Sequence, residues 1–120
     1  MEVKELRIGN YVKDYYYDTT IEVSIKTLIV IEELTKPTSE FQCPIVPIPL
    51  TEEWLLMFGF KLHKMEFKNR YFIGEEFSID YNIVHKSFYF NIGYEYGVNM
   101  KYIHQLQNLY YALTGQELQQ

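Results

Sequence analysis

Between Met65 and Ile92 the chain alternates apolar and polar residues with few interruptions, and this pattern leaves little freedom of architecture. Phe77, Ile79, Tyr81 and Ile83 alternate with Ser78, Asp80 and Asn82, and Phe88, Phe90 and Ile92 with Tyr89 and Asn91. Before them Met65, Phe67, Tyr71 and Ile73 share a parity opposite Glu66, Lys68, Arg70 and Phe72. A period of two sends successive side chains to opposite faces of a strand. The breaks at Gly74-Glu75-Glu76 and His85-Lys86-Ser87 are of hairpin length, too short for a crossover helix. The pattern therefore predicts an antiparallel meander with one dry and one wetter face. The 12 Tyr, 8 Phe and one Trp fit an aromatic-packed sheet.

Two further strands are expected upstream. Leu6-Arg7-Ile8-Gly9-Asn10-Tyr11-Val12 reads as a short strand with a bulge or bend at Gly9-Asn10. Ile21, Val23, Ile25, Ile29 and Ile31 share one parity, which predicts a longer strand bent near Lys26-Thr27. The prolines of Cys43-Pro44-Ile45-Val46-Pro47-Ile48-Pro49-Leu50 exclude a helix or a central strand and predict an extended connector packed on the core.

Helices are expected in two places. Thr51 is placed to cap a short central helix over residues 51–58, with Glu52 and Glu53 in its first turn and Gly59 as its stop. Its Trp54, Leu55 and Phe58 are expected to be buried. From residue 102 to 113 apolar side chains fall at 102, 103, 106, 109, 110 and 113, the spacing of an amphipathic helix. Asn99 is its expected N-cap and Gly115 its stop. The sum is an α+β fold: a mostly antiparallel sheet of about five strands, a short central helix and a C-terminal amphipathic helix. The strands around Gly9-Asn10 suggest a half-barrel resembling an SH3-like fold. The length of 120 residues points to a single domain over 1–120.

A net charge of −5 and the absence of any Lys/Arg run argue against nucleic acid as the main partner. The nearest thing to a basic patch is Lys61, Lys64, Lys68 and Arg70. Cys43 is the sole cysteine, which excludes an intrachain disulfide and suits a reducing compartment. No run of 18 apolar residues suggests a membrane span, and Met1-Glu2-Val3-Lys4-Glu5 lacks the core of a secretory signal. A cytoplasmic protein is expected.

No catalytic or metal-binding motif is recognisable, and no cofactor is expected. His63, His85 and His104 lie in three different elements without ligand spacing. Cys43 has no adjacent base and reads as a structural thiol. Asp14 and Asp18 lack calcium-loop spacing, and Tyr15-Tyr16-Tyr17 lacks the cations of a base-stacking groove, so a sheet-edge or core role is expected for the tyrosines.

One surface asks for explanation. The polar side of the last helix carries His104, Gln105, Gln107, Asn108 and Tyr111, with no charged residue between Tyr102 and Gly115. Solvated helix faces normally carry Lys, Glu or Arg. Two readings follow: the face packs on a loop of its own chain with its polar groups satisfied there, or it contacts another protein or a second copy.

Leu6-Arg7-Ile8-Gly9-Asn10, Ile48-Pro49-Leu50-Thr51-Glu52-Glu53-Trp54-Leu55 with Gly59-Phe60, and His104-Gln105-Leu106-Gln107-Asn108-Leu109-Tyr110-Tyr111-Ala112-Leu113-Thr114-Gly115 resemble blocks of an uncharacterised family of small hypothetical proteins from Bacteroidetes-type genomes and their phages or mobile elements. The resemblance implies a cytoplasmic, phage-associated accessory protein and transfers no site residue. The leading expectation is a non-enzymatic protein-binding module. Its alternative is a small enzyme or metabolite-binding protein, with a site assembled from separated residues such as His85, His104 and Asp80.

Overall fold

A computed structural model describes residues 1–75, 77–91 and 97–120. The element order is β1 (Tyr11–Asp14), β2 (Thr19–Glu22), α1 (Ile25–Leu34), β3 (Ile45–Pro47), α2 (Glu52–Met57), β4 (Lys61–Lys64), β5 (Lys68–Ile73), β6 (Phe77–Asn82), β7 (Ser87–Asn91), β8 (Gly97–Met100) and α3 (Ile103–Thr114). The fold is α+β with two antiparallel sheets, one of three strands and one of five. The chain divides into two compact units: Met1–Pro49 with Tyr102–Glu117, and Leu50–Lys101 with Leu118–Gln120.

The first unit holds the three-stranded sheet, ordered β2-β1-β3, with α1 and α3. β1 and β2 form a hairpin, Val12 opposite Ile21. The Pro-rich connector is an edge strand, β3, with Pro47 opposite Val12. An edge tolerates proline because only one side of the strand is asked for a ladder. Val12, Val23, Ile31 and Leu6 form the core, with Ile21, Leu28, Ile45 and Cys43 packed around it. Cys43 thus serves as a small apolar side chain.

The long strand expected over 21–31 is not formed; it ends at Glu22 and a helix begins at Ile25. The cause is a capping box. Ser24 Oγ accepts from the Thr27 amide at 3.3 Å and Thr27 Oγ1 accepts from the Ser24 amide at 3.2 Å. Thr27 and Ile31, four residues apart, then face the core while Ile25 and Ile29 stay exposed. Tertiary burial on helical spacing overrides the strand propensity of the β-branched run. The tyrosines 15–17 are also misplaced by the sequence reading: they form the exposed tip of the β1–β2 hairpin, 68%, 68% and 79% accessible.

The second unit is the five-stranded meander β4-β5-β6-β7-β8 with α2. The turn at Gly74 follows the expectation, with φ of 64° there. β4, paired with β5 through residues 65–67, and β8, paired with β7, extend the three strands read from the sequence. Glu76 and Ile92 lie outside the described residues. α2 is capped as anticipated, Thr51 Oγ1 accepting from the Trp54 amide at 3.4 Å. Leu55 and Phe58 are buried and Trp54 is half-buried. Rings make up much of the core: Phe77 lies 5.4 Å from Phe90 and 6.2 Å from Phe60.

Candidate functional site: a polar clamp and an aromatic cavity

The C-terminal helix α3 starts at Ile103 with Tyr102, not Asn99, as N-cap, and closes on Gly115 at φ 73°. Asn99 is instead paired in β8, opposite Tyr89. The stripe it buries also differs from a purely apolar one. Ile103, Leu106 and Tyr110 are buried, but so are His104 and Gln107, while Leu113 is exposed.

Gln107 is fully enclosed because both ends of its amide are used. Its Oε1 accepts from the Tyr11 amide at 2.8 Å and its Nε2 donates to the Gly9 carbonyl at 3.2 Å. Asn108 Oδ1 accepts from Arg7 Nε at 3.1 Å and from Asn10 Nδ2 at 2.9 Å, and its Nδ2 donates to the Glu5 carbonyl at 2.8 Å. Arg7 also grips Glu117 through Nη1 at 2.7 Å and Nη2 at 3.2 Å, and its guanidinium lies 4.1 Å from the centroid of the Tyr111 ring. Gly9, at φ 97°, supplies the left-handed turn that bends the loop into position.

The two terminal blocks, Leu6–Asn10 and His104–Gly115, are therefore the halves of one internal clamp. A side-chain amide suits this work: it donates and accepts at once and enters a protein interior without charge. Gln105 Oε1 accepts from the Tyr102 amide at 3.1 Å and completes the helix start. Of the five residues anticipated as a contact face, Tyr111 alone is classed as exposed, at 43%, and its ring carries Arg7.

His104 stands apart. It is 2% exposed, stacks on Tyr102 at 5.8 Å, and its Nδ1 has no hydrogen-bond partner. Burial holds its pKa below the ordinary range; Glu5 pulls upward and the terminal amine downward.

In the second unit, strand alternation and register sort the side chains onto two faces. One face carries Lys68, Arg70 and Asp80. Asp80 is 2% exposed and accepts from Arg70 Nε at 2.8 Å, Arg70 Nη2 at 3.2 Å, Lys68 Nζ at 3.1 Å and Asn91 Nδ2 at 2.8 Å. Burial alone would raise its pKa, but the hydrogen bonds and charges of Arg70 and Lys68 outweigh that and hold it below the usual carboxylate range. Half of the basic patch read from the sequence is thus committed to an internal carboxylate, which weakens it as a phosphate-binding surface. A recess of about 310 Å³ on this unit is bordered by His63, Arg70, Phe72 and Glu75.

The opposite face bears Asn69, Tyr71, Tyr81, Phe88 and Met100, and it walls a cavity of about 600 Å³. Thr51 and Glu52 at the start of α2, Lys86 and Ser87 in the β6–β7 turn, and Asn99 and Lys101 around β8 complete the lining. Tyr81 and Phe88 have ring centroids 4.8 Å apart, and Tyr71 lies 6.1 Å from Phe88. Burial, then the nearby charge of Glu52, hold the Tyr71 phenol above its ordinary range.

The candidate trio is divided between the units. His104 belongs to the first, while His85, in the β6–β7 turn, and Asp80, bound to its cations, belong to the second. Asp14 and Asp18 are used locally, Asp14 Oδ1 accepting from the amides of Tyr16 and Tyr17 and Asp18 lying 3.5 Å from Lys13. Among the described residues no three His, Cys, Asp or Glu side chains are placed to hold a metal ion, and no helix is long and apolar enough to cross a membrane. The cavity lies beyond sequence patterning because its lining comes from five separated segments. The inward parity of Tyr71, Tyr81 and Phe88 was the only available signal.

Comparison with protein-family models, curated proteins and solved structures finds no match to this chain.

Proposed function

We propose that the second unit is a small-molecule-binding module whose site is the cavity bounded by Tyr71, Tyr81, Phe88, Lys86 and Lys101. One observation carries this reading. A cavity of about 600 Å³, walled by aromatic rings and reached by a few polar groups, has the size and chemistry of a ligand site. Among the described lining residues no hydroxyl is hydrogen-bonded to an acidic or basic side chain, so the reading is binding rather than catalysis.

The contact-module expectation rested on α3, and most of that face now has an internal explanation in Arg7, Asn10 and the Gly9 carbonyl. A chain whose first unit is built for rigidity and whose second presents a cavity fits a ligand-binding accessory protein better.

The test is a ligand-observed magnetic-resonance screen of fragments and common metabolites against the native protein and Ser87→Trp. The native protein is expected to bind several ring-containing compounds and the bulky variant none. Binding that is indifferent to Ser87→Trp would place the site elsewhere, and a screen without hits would end the proposal.

A further inference from the structure

Resting on the cavity reading, we infer that the ligand is a small organic anion bearing a flat unsaturated ring. Lys86 and Lys101 hold its anionic group, and the Tyr81–Phe88 pair faces its ring.

The charge balance of the lining points this way. Among the described residues two ammonium groups border the cavity, Lys86 and Lys101, against one carboxylate, Glu52. The described lining therefore carries more positive than negative groups in a chain whose net charge is −5, and such a lining in an acidic protein favours negative ligands.

Lys86 adds a second argument. Its backbone sits at φ 54°, the left-handed region that Asn and Gly enter most readily. A lysine is uncommon there. Among the described residues that side chain makes no ion pair. The contrast is with Lys68 and Arg70, whose charges are taken by Asp80.

The rings supply the rest. Tyr81 and Phe88 lie 4.8 Å apart at 49°, and Tyr71 and Phe88 6.1 Å apart at 55°. Tilted ring faces favour an offset-stacked or edge-on planar guest over a saturated chain. Asn69 and Asn99, also in the lining, offer both donors and acceptors for ring substituents.

The experiment uses matched pairs that differ only in charge: a nucleoside monophosphate with its nucleoside, and an aromatic carboxylate with its amide. Affinities are measured by calorimetry at low salt on the native chain, on Lys86→Asn combined with Lys101→Gln, and on Lys86→Arg. Asparagine keeps the left-handed turn, so the double variant retains its fold, checked by circular dichroism. In the native chain at least one anion is expected to bind about tenfold tighter than its neutral partner, the effect of one charge-assisted hydrogen bond. That preference should vanish in the double variant and persist in Lys86→Arg. Whichever pair shows it identifies phosphate or carboxylate as the group. Equal affinity of the neutral partners, or a preference that survives the double variant, overturns the inference and leaves the cavity reading standing. Binding of neither member of either pair brings down both.

Discussion

The two units use uncharged polar side chains to opposite ends. In the first, Gln107 and Asn108 are saturated by Tyr11, Gly9, Arg7, Asn10 and Glu5, so they lock a loop to a helix and leave little to offer a ligand. In the second, Asn69, Asn99 and Tyr81 converge on a cavity. A helix face without charge is therefore not by itself a docking surface. Enclosure by its own chain selects the same residues, because a buried amide needs partners and a buried charge needs far more.

The comparison breaks most readily at Gln107. Gln107→Ala removes the partners of a backbone amide and a backbone carbonyl together, at a cost of about 3 kcal/mol. Hydrogen exchange at the Tyr11 amide should lose its protection in this variant, while ligand binding by the second unit is retained. A Tyr11 amide that stays protected would mean that Gln107 is not the clamp's centre.

Asp80 is the nearest counterpart in the second unit. Asp80→Ala leaves Lys68 and Arg70 without their carboxylate, but both cations are part-exposed and can turn to water, so the expected loss is about 2 kcal/mol. The pH dependence has a definite sign. The folded pKa lies below the unfolded value near 3.9, so the carboxylate's contribution is complete above that value and fades as pH falls through the folded one. Acid denaturation followed by circular dichroism should show a shallower limb below about pH 4 for Asp80→Asn than for the native chain.

His104 gives a smaller effect at a different pH. Its folded pKa is depressed, so between the unfolded value near 6.5 and the lower folded one the unfolded chain binds the extra proton. Stability of the first unit should fall as pH drops below about 6.5 and level off below the folded pKa. His104→Leu, which also removes the unpartnered Nδ1, should flatten that slope and change stability at pH 7 by no more than about 1 kcal/mol. Denaturation curves at pH 7 and pH 5 decide it; an unchanged slope would show that another group titrates. The smallest effect is expected at Tyr111: truncation to Ala removes the ring beneath Arg7 and should cost about 0.5–1 kcal/mol, whereas Phe should be neutral.

Much of the second unit was legible in the sequence. Period-two alternation and two short turns were enough for the meander, and Thr51 with Gly59 framed α2, because those signals are local. The failures have physical causes. Ile25 to Ile31 has strand-like residues, yet the Ser24–Thr27 box and the burial of Thr27 and Ile31 make it a helix. That box was readable, but the alternation of isoleucines obscured it. The polar stripe on α3 is visible in the sequence, but its internal explanation depends on the Gly9 carbonyl and the Arg7 guanidinium, which only the fold brings to it. The cavity was out of reach of any spacing rule, since Glu52, Tyr71, Lys86 and Lys101 meet only through strand order.

The most direct measurement is a backbone amide chemical-shift map of the native chain as a ring-bearing anion from the matched pairs is added. Shifts are expected at Tyr71, Tyr81, Lys86, Phe88 and Lys101, with Arg7, Asn10, Gln107 and Asn108 unmoved. Shifts centred on the Arg7–Asn108 clamp, with the cavity residues silent, would contradict the division of labour between the two units.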